Sequence, residues 1–115
     1  KLQTLPKQII CIEPLPYLEF MYLVKNASAV ITDSGGITEE ATVLNVPCLT
    51  VRENTERPET VEIGSNCLVG SDPVVIKNAL NSIFSGSYKK GSIPDLWDGK
   101  ASERIWECIL NVVNV

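Results

Sequence analysis

The stretch Ala29-Val30-Ile31-Thr32-Asp33-Ser34-Gly35-Gly36-Ile37-Thr38-Glu39-Glu40-Ala41 decides the fold. Its opening run, Ala29 to Thr32, is short, apolar and rich in β-branched side chains, which predicts a buried strand. Asp33 to Gly36 reads as a turn, and Ile37 to Leu44 as a short helix with Glu39 and Glu40 in its first turns. A strand handed to a helix through a glycine turn is the repeating step of an open α/β sheet.

Working outward, the same alternation continues on both sides. Upstream, Gln8 to Ile12 is another apolar run and predicts a first strand. Pro14 and Pro16 bracket a tight connection, after which Tyr17 to Asn26 carries helical periodicity, with Leu18, Met21 and Tyr22 and then Val24 and Lys25 marking its face. Downstream, Pro47 to Val51 predicts a strand, the polar stretch from Glu53 ends in one helical turn through Ile63, and Asn66 to Val69 predicts a further short strand. Asp72-Pro73 has the form of an N-cap followed by proline at the first helical position. The helix it opens runs to Phe84 and is expected to bury Val75 or Ile76, Ala79, Leu80 and Ile83. Ser85 to Gly99 reads as a loop, and Ala101 to about Val113 as an amphipathic helix with Ile105, Trp106, Ile109, Leu110 and Val113 on its apolar side. Strands that are apolar runs rather than alternating patterns argue for a Rossmann-like parallel sheet covered by helices on both faces.

Such sheets bind ligands beyond the carboxyl ends of their strands. That rule selects the loops Pro14 to Pro16, Asp33 to Gly36 and Arg52 to Arg57. In Thr32-Asp33-Ser34-Gly35-Gly36 the paired glycines remove side chains from a helix N-terminus, so main-chain amides can approach an anion, and Ser34 can add a hydroxyl. Diphosphate is the expected guest; the plainer reading is a serine-capped helix after a tight turn. Glu39 and Glu40 can be ordinary acidic residues near a helix N-terminus. Alternatively one of them faces the crevice and accepts both hydroxyls of a ribose, and successive helical residues, about 100° apart, do not share that role. Arg57, held before Pro58, is placed for a phosphate fork, although so polar a loop can also be simply solvated. Phe20 either packs in the core or offers its face to a pyrimidine.

Composition limits the classes available. The chain has 115 residues, with 44% apolar and 21% charged, the balance of a folded globular unit. The net charge of −4 disfavours broad nucleic-acid binding, which needs a basic face. No apolar stretch approaches the roughly 20 residues of a membrane span. The cysteines at 11, 48, 67 and 108 are too far apart for a metal knuckle, so no metal or cofactor is expected, and Cys11 and Cys48, inside apolar runs, are expected to be buried free thiols in a reducing cytoplasm. The sequence contains no histidine, which removes the commonest general base.

Taken together, Pro14 to Phe20 (PLPYLEF), Thr32 to Ala41 (TDSGGITEEA), Val51 to Thr60 (VRENTERPET) and Trp97 to Ile105 (WDGKASERI) resemble the non-hydrolysing UDP-N-acetylglucosamine 2-epimerases. The resemblance covers nearly the whole chain. It implies the two-domain glycosyltransferase B architecture, with residues 1–115 forming the C-terminal Rossmann-like part of a fragment whose N-terminal catalytic domain is absent. It implies that Ser34, Gly35 and Gly36 hold the diphosphate, Glu40 the ribose hydroxyls and Arg57 a contact near the phosphates, with Phe20 against the uracil. The backbone at Leu15 would read the uracil edge; the family can carry glutamine there, so Leu15 supports a main-chain contact only. Glu39 is set aside as facing the wrong side of its helix.

The activity implied is interconversion of UDP-N-acetylglucosamine and UDP-N-acetylmannosamine, by elimination and re-addition of UDP, in a cytoplasmic homodimeric parent enzyme serving cell-surface polysaccharide synthesis. Acid/base carboxylates and a histidine would come from segments before this chain, leaving it without catalytic residues of its own. The last helix is expected to pack partly on the missing domain. Two other readings stand beside this one: the nucleotide-binding half of a UDP-sugar glycosyltransferase, and a free-standing Rossmann-like binding module.

Overall fold

The computed structural model describes residues 5–113. Helix α1 (Tyr17–Asn26) leads to β1 (Val30–Thr32), α2 (Gly35–Val43), β2 (Cys48–Thr50), α3 (Pro58–Glu62), β3 (Asn66–Leu68), α4 (Pro73–Phe84) and α5 (Ala101–Val113). The strands form a parallel three-stranded sheet in the order β1-β2-β3. Thr32 lies opposite Thr50, and Thr50 opposite Leu68, so the strands end level. The α/β class and the parallel sheet expected from the sequence are therefore present.

Helix α2 packs against all three strands and α3. It buries Thr38, Ala41 and Thr42, a face of small side chains that lets the helix lie close to the sheet. The turn after α3 comes equally close. A Cβ at Gly64 would stand 2.6 Å from the Thr42 side chain and from the Thr60 carbonyl, so a residue without one is needed there.

The core is half apolar and half polar. Val24, Ala41, Val46, Cys48, Leu49 and Val69 are buried beside Thr38, Thr42, Thr50, Thr60, Ser65 and Asn66. Burying polar groups is tolerable because they are bonded. The Thr50 hydroxyl donates to Asn66 Oδ1 at 2.7 Å, and Asn66 Nδ2 donates to the Thr60 hydroxyl at 3.0 Å. The Thr60 hydroxyl in turn donates to the Arg57 carbonyl at 2.7 Å. Ser65 Oγ donates to the Val46 carbonyl at 2.7 Å. The Tyr88 hydroxyl reaches the carbonyls of Cys48 and Ser65 at 3.1 and 3.0 Å, tying the loop after α4 to the sheet.

Several expectations need correction. Gln8 to Ile12 forms no strand. A strand needs a hydrogen-bonded neighbour, no described strand lies beside this run, and Ile9, Ile10 and Ile12 stay exposed. Cys11 is exposed with them, whereas Cys48 is buried. On α1 only part of the face marked by the periodicity turns inward: Val24 is buried and Met21 half-buried, whereas Leu18 and Tyr22 are exposed. Helix α4 buries nothing completely; Ile76, Ala79, Leu80 and Ile83 are half-buried and Val75 is exposed. Its start is as expected, with Asp72 Oδ1 accepting from the Val74 amide at 2.8 Å and proline following the cap.

Helix α5 forms over the expected span, tethered at its start by a bidentate pair between Arg104 and Asp98 at 2.9 and 3.0 Å. Hydrogen bonds from Arg104 and then from the Lys100 amide hold the Asp98 carboxyl down to about 2. A depressed carboxylate contributes above its ordinary range, so this tether is complete above about pH 4 and lost as pH falls toward 2. The apolar side chains of Ile105, Trp106, Ile109, Leu110 and Val113 are exposed along this helix.

Three outcomes follow from this packing. Asn66→Ala leaves the Thr50 and Thr60 hydroxyls short of partners in a dry site, and urea unfolding should show a loss of about 2 kcal/mol or more. Burial pushes the Cys48 thiol up to about 12. At pH 8 on the order of one thiol in ten thousand is then ionised, so iodoacetamide should label Cys11 and Cys108 in the folded chain and spare Cys48 until denaturant is added, as read by mass spectrometry. The apolar face of α5 should drive concentration-dependent self-association in sedimentation experiments, reduced by Trp106→Glu.

Candidate functional site

Level parallel strands put the turns that follow them on one edge. After β1 the Ser34 amide donates to Thr32 Oγ1 at 3.0 Å, which carries the chain from strand to helix through Asp33 and Ser34. Ser34 is the N-cap of α2, yet its side chain makes no capping hydrogen bond. The plainer reading of this serine, a helix cap, is thus not how the hydroxyl is used. Thr38 is the first residue whose amide reaches back, to the Ser34 carbonyl at 3.3 Å. Helix geometry leaves the amides of Gly35, Gly36 and Ile37 without intrahelical acceptors, at the positive end of the dipole.

The glycines keep those amides accessible. A Cβ at Gly35 would meet nothing within 4 Å, and one at Gly36 only Ser34 Oγ at 3.9 Å. Neither glycine is packed under protein. The turn is an open cradle of N–H donors flanked by a hydroxyl, suited to a phosphate or diphosphate.

Glu40 lies a little over one helical turn further along α2 and is half-buried. It lines a cleft of about 440 Å³ with Tyr17 and Met21 of α1, Glu39, Val43 and Leu44 of α2, and Trp97. The Tyr17 phenol is raised from its ordinary value, first because Glu40 accepts its proton in a hydrogen-bonding contact and then because of the charge on that carboxylate. Glu40 therefore faces a groove rather than bulk solvent. On the neighbouring face, Phe20 is 37% exposed. It lines a groove of about 260 Å³ that includes Thr32 and Ile37, the residues flanking the glycine turn. Leu15 is half-buried, just before the Pro16 cap of α1, and its backbone makes no backbone hydrogen bond among the described residues.

Arg57 caps α3, with its amide donating to Thr55 Oγ1 at 3.0 Å. Its side chain crosses to α2, where Nε stands 2.6 Å from Glu39 Oε1. That contact is close in charge but poorly aligned, since the buried Nε–H makes no hydrogen bond of good geometry. Among the described residues no hydrogen bond or ion pair joins Arg57 to Ser34, Gly35 or Gly36.

The structure thus places the Ser34–Gly36 turn at the start of α2, Phe20 in a groove that reaches the flanks of that turn, and Glu40 in a separate cleft, while Arg57 meets α2 through Glu39. Sequence reasoning assigned Tyr17 no role of its own, named Trp97 only within a block of resemblance, and set Glu39 aside. The position of Tyr17 at the start of a helix following a ligand-side loop was a usable signal. Trp97 arrives from a distant loop, and nothing in its block placed it beside α2.

The family model described as UDP-N-acetylglucosamine 2-epimerase matches residues 1–110. A Methanococcus maripaludis protein named UDP-N-acetylglucosamine 2-epimerase is 58% identical over 76 residues, covering 66% of this chain and 21% of its own length. A Methanocaldococcus jannaschii protein of the same name is 48% identical over 99 residues, 86% of this chain and 26% of its own. The crystal structure of a Methanocaldococcus jannaschii UDP-GlcNAc 2-epimerase in complex with UDP-GlcNAc and UDP superposes with a TM-score of 0.75 at 45% identity, over 87% of this chain and 27% of that one. This chain therefore spans about a quarter of the length of such relatives. With a cradle of free amides at the edge of a parallel sheet and a family model spanning residues 1–110, the chain belongs to the UDP-N-acetylglucosamine 2-epimerase family.

Proposed function

We propose that this chain is the C-terminal, UDP-gripping domain of a UDP-N-acetylglucosamine 2-epimerase, and that the catalytic domain preceding it in the parent enzyme supplies the acid/base groups. The observation that carries this reading is the Ser34–Gly36 turn, whose glycines face open space at the N-terminus of α2. Ser34, Gly35 and Gly36 hold the diphosphate, Glu40 the ribose hydroxyls, and Phe20 packs against the uracil, whose edge meets the Leu15 main chain. Arg57 lies near the phosphates. Family membership and the UDP complex of the Methanocaldococcus jannaschii enzyme support these assignments.

In the parent enzyme a proton leaves C2 of the sugar while UDP departs from C1. Re-addition of UDP with a proton on the opposite face inverts C2. The amides at Gly35 and Gly36 stabilise negative charge growing on the departing diphosphate, and they cost no reorganisation because the helix fixes them beforehand. Holding UDP in place also prevents its escape before re-addition. The chain contains no histidine and is inactive alone. The same reading makes the parent a cytoplasmic homodimer serving polysaccharide synthesis; no helix among the described residues is long and apolar enough to cross a membrane.

Calorimetry on the folded chain at millimolar UDP should show weak binding and no epimerase activity. Glu40→Ala should weaken UDP roughly tenfold or more while changing inorganic pyrophosphate less than about twofold, since only UDP offers ribose hydroxyls to a charged acceptor. Equal losses for the two ligands would reassign Glu40, and a folded chain that takes no UDP would remove the site.

A further inference from the structure

Glu39 has no part in the site as read from the sequence, yet it makes the only described ion pair between α2 and the loop after β2. The backbone of Arg57 is fixed independently of that pair. Its amide is bound by Thr55 Oγ1, and its carbonyl accepts from the Thr60 hydroxyl at 2.7 Å and the Thr60 amide at 3.1 Å. What remains free is the side chain, whose long stem has many rotamers. Glu39 selects among them by standing 2.6 Å from Nε, while one Nη1 proton goes to the Glu56 carbonyl at 3.3 Å. The Nη2 end takes no protein acceptor among the described residues.

Glu39 is four residues past Gly35 and three past Gly36, so all share one helix face. The guanidinium it meets therefore sits beside α2, about one turn from the end where the glycine amides are left free. We propose that Glu39 is a positioning residue that aims Arg57 at the phosphate groups of the bound nucleotide. This rests on the reading that the Ser34–Gly36 turn holds the diphosphate. Glu39 pairs in charge with the Nε edge and leaves the terminal Nη2 donors for phosphate oxygens, a division that a guanidinium allows and an ammonium does not. A carboxylate placed only to neutralise Arg57 would act in the opposite sense, competing with phosphate for the same cation.

The test measures UDP and uridine binding to the full chain by NMR shift titration, for wild type, Glu39→Gln, Glu39→Asp, Arg57→Ala and the Glu39→Gln/Arg57→Ala double variant. Thermal unfolding serves as the control for folding. Glu39→Gln should weaken UDP about fivefold and uridine less than twofold, Glu39→Asp should recover part of the loss, and Glu39→Gln should add little once Arg57 is alanine, as coupled residues do. Tighter UDP binding in Glu39→Gln, equal losses for UDP and uridine, or simple additivity in the double variant would overturn the proposal. A wild-type chain that binds UDP beside an unaffected Glu39→Gln sinks the role of Glu39 alone. A folded wild type without UDP binding sinks the nucleotide site and this proposal with it.

Discussion

The Asn66 side-chain amide is the constraint on which the rest of the structure depends. Fully buried between β2 and α3, it accepts from Thr50 and donates to Thr60, and Thr60 passes the connection to the Arg57 carbonyl. A short strand pair makes few ladder bonds, and an isolated pair of strands is marginal in water. The amide adds directional bonds inside the core that only one register satisfies. It also reaches beyond the sheet, because the far end of the chain of bonds is the loop carrying Arg57. Stability of the sheet and placement of a site residue are therefore one problem with one solution.

A second consequence concerns how close α2 lies to the strands. Its buried face is Thr38, Ala41 and Thr42, and the Thr38 and Thr42 hydroxyls are satisfied by the helix carbonyls of Gly35 and Thr38 at 2.6 and 2.8 Å. Threonine there costs little helix stability once its hydroxyl bonds backward, and it is smaller than leucine. The Gly64 turn approaches from the other side with no Cβ to spare. Small residues on both surfaces set the height of the helix over the sheet. That height fixes where the Gly35 and Gly36 amides stand relative to the strand end at Thr32.

Much of this was legible in the sequence, for identifiable reasons. The strand at Val30, the glycine turn and the helix after it are local features: a β-branched run, residues without side chains, and a helical period. Tyr17–Asn26 and Ala101–Val113 were bounded correctly by proline, a cap or periodicity. What the sequence could not convey was which surfaces meet. The strand expected at Gln8 to Ile12 has the right composition, but pairing is a property of two segments, and no described strand accompanies it. The inward face of α1 was read only in part, for a related reason. Leu18 and Tyr22 fit a helical stripe as well as Met21 and Val24 do, and only tertiary packing chooses between them. At the site, Ser34, Gly35, Gly36 and Glu40 stand at local, sequence-defined positions. The partner of Arg57 depends on a tertiary approach between α2 and the loop after β2.

The adjacent acids on α2 show how consecutive residues come to serve different neighbours. About 100° of rotation separates Glu39 from Glu40, enough to send one toward Arg57 and the other toward Tyr17. The third direction, through Thr38, Ala41 and Thr42, is given to the sheet. One helix thus presents an acid-held cation on one side, a carboxylate above a groove on another, and free amides at its end. The order of those groups around α2 follows from helical rotation alone once the buried face is fixed. A helix turned by one residue would put Thr38 or Ala41 in the place of one acid and lose the packing that holds the glycine turn at the edge of the sheet.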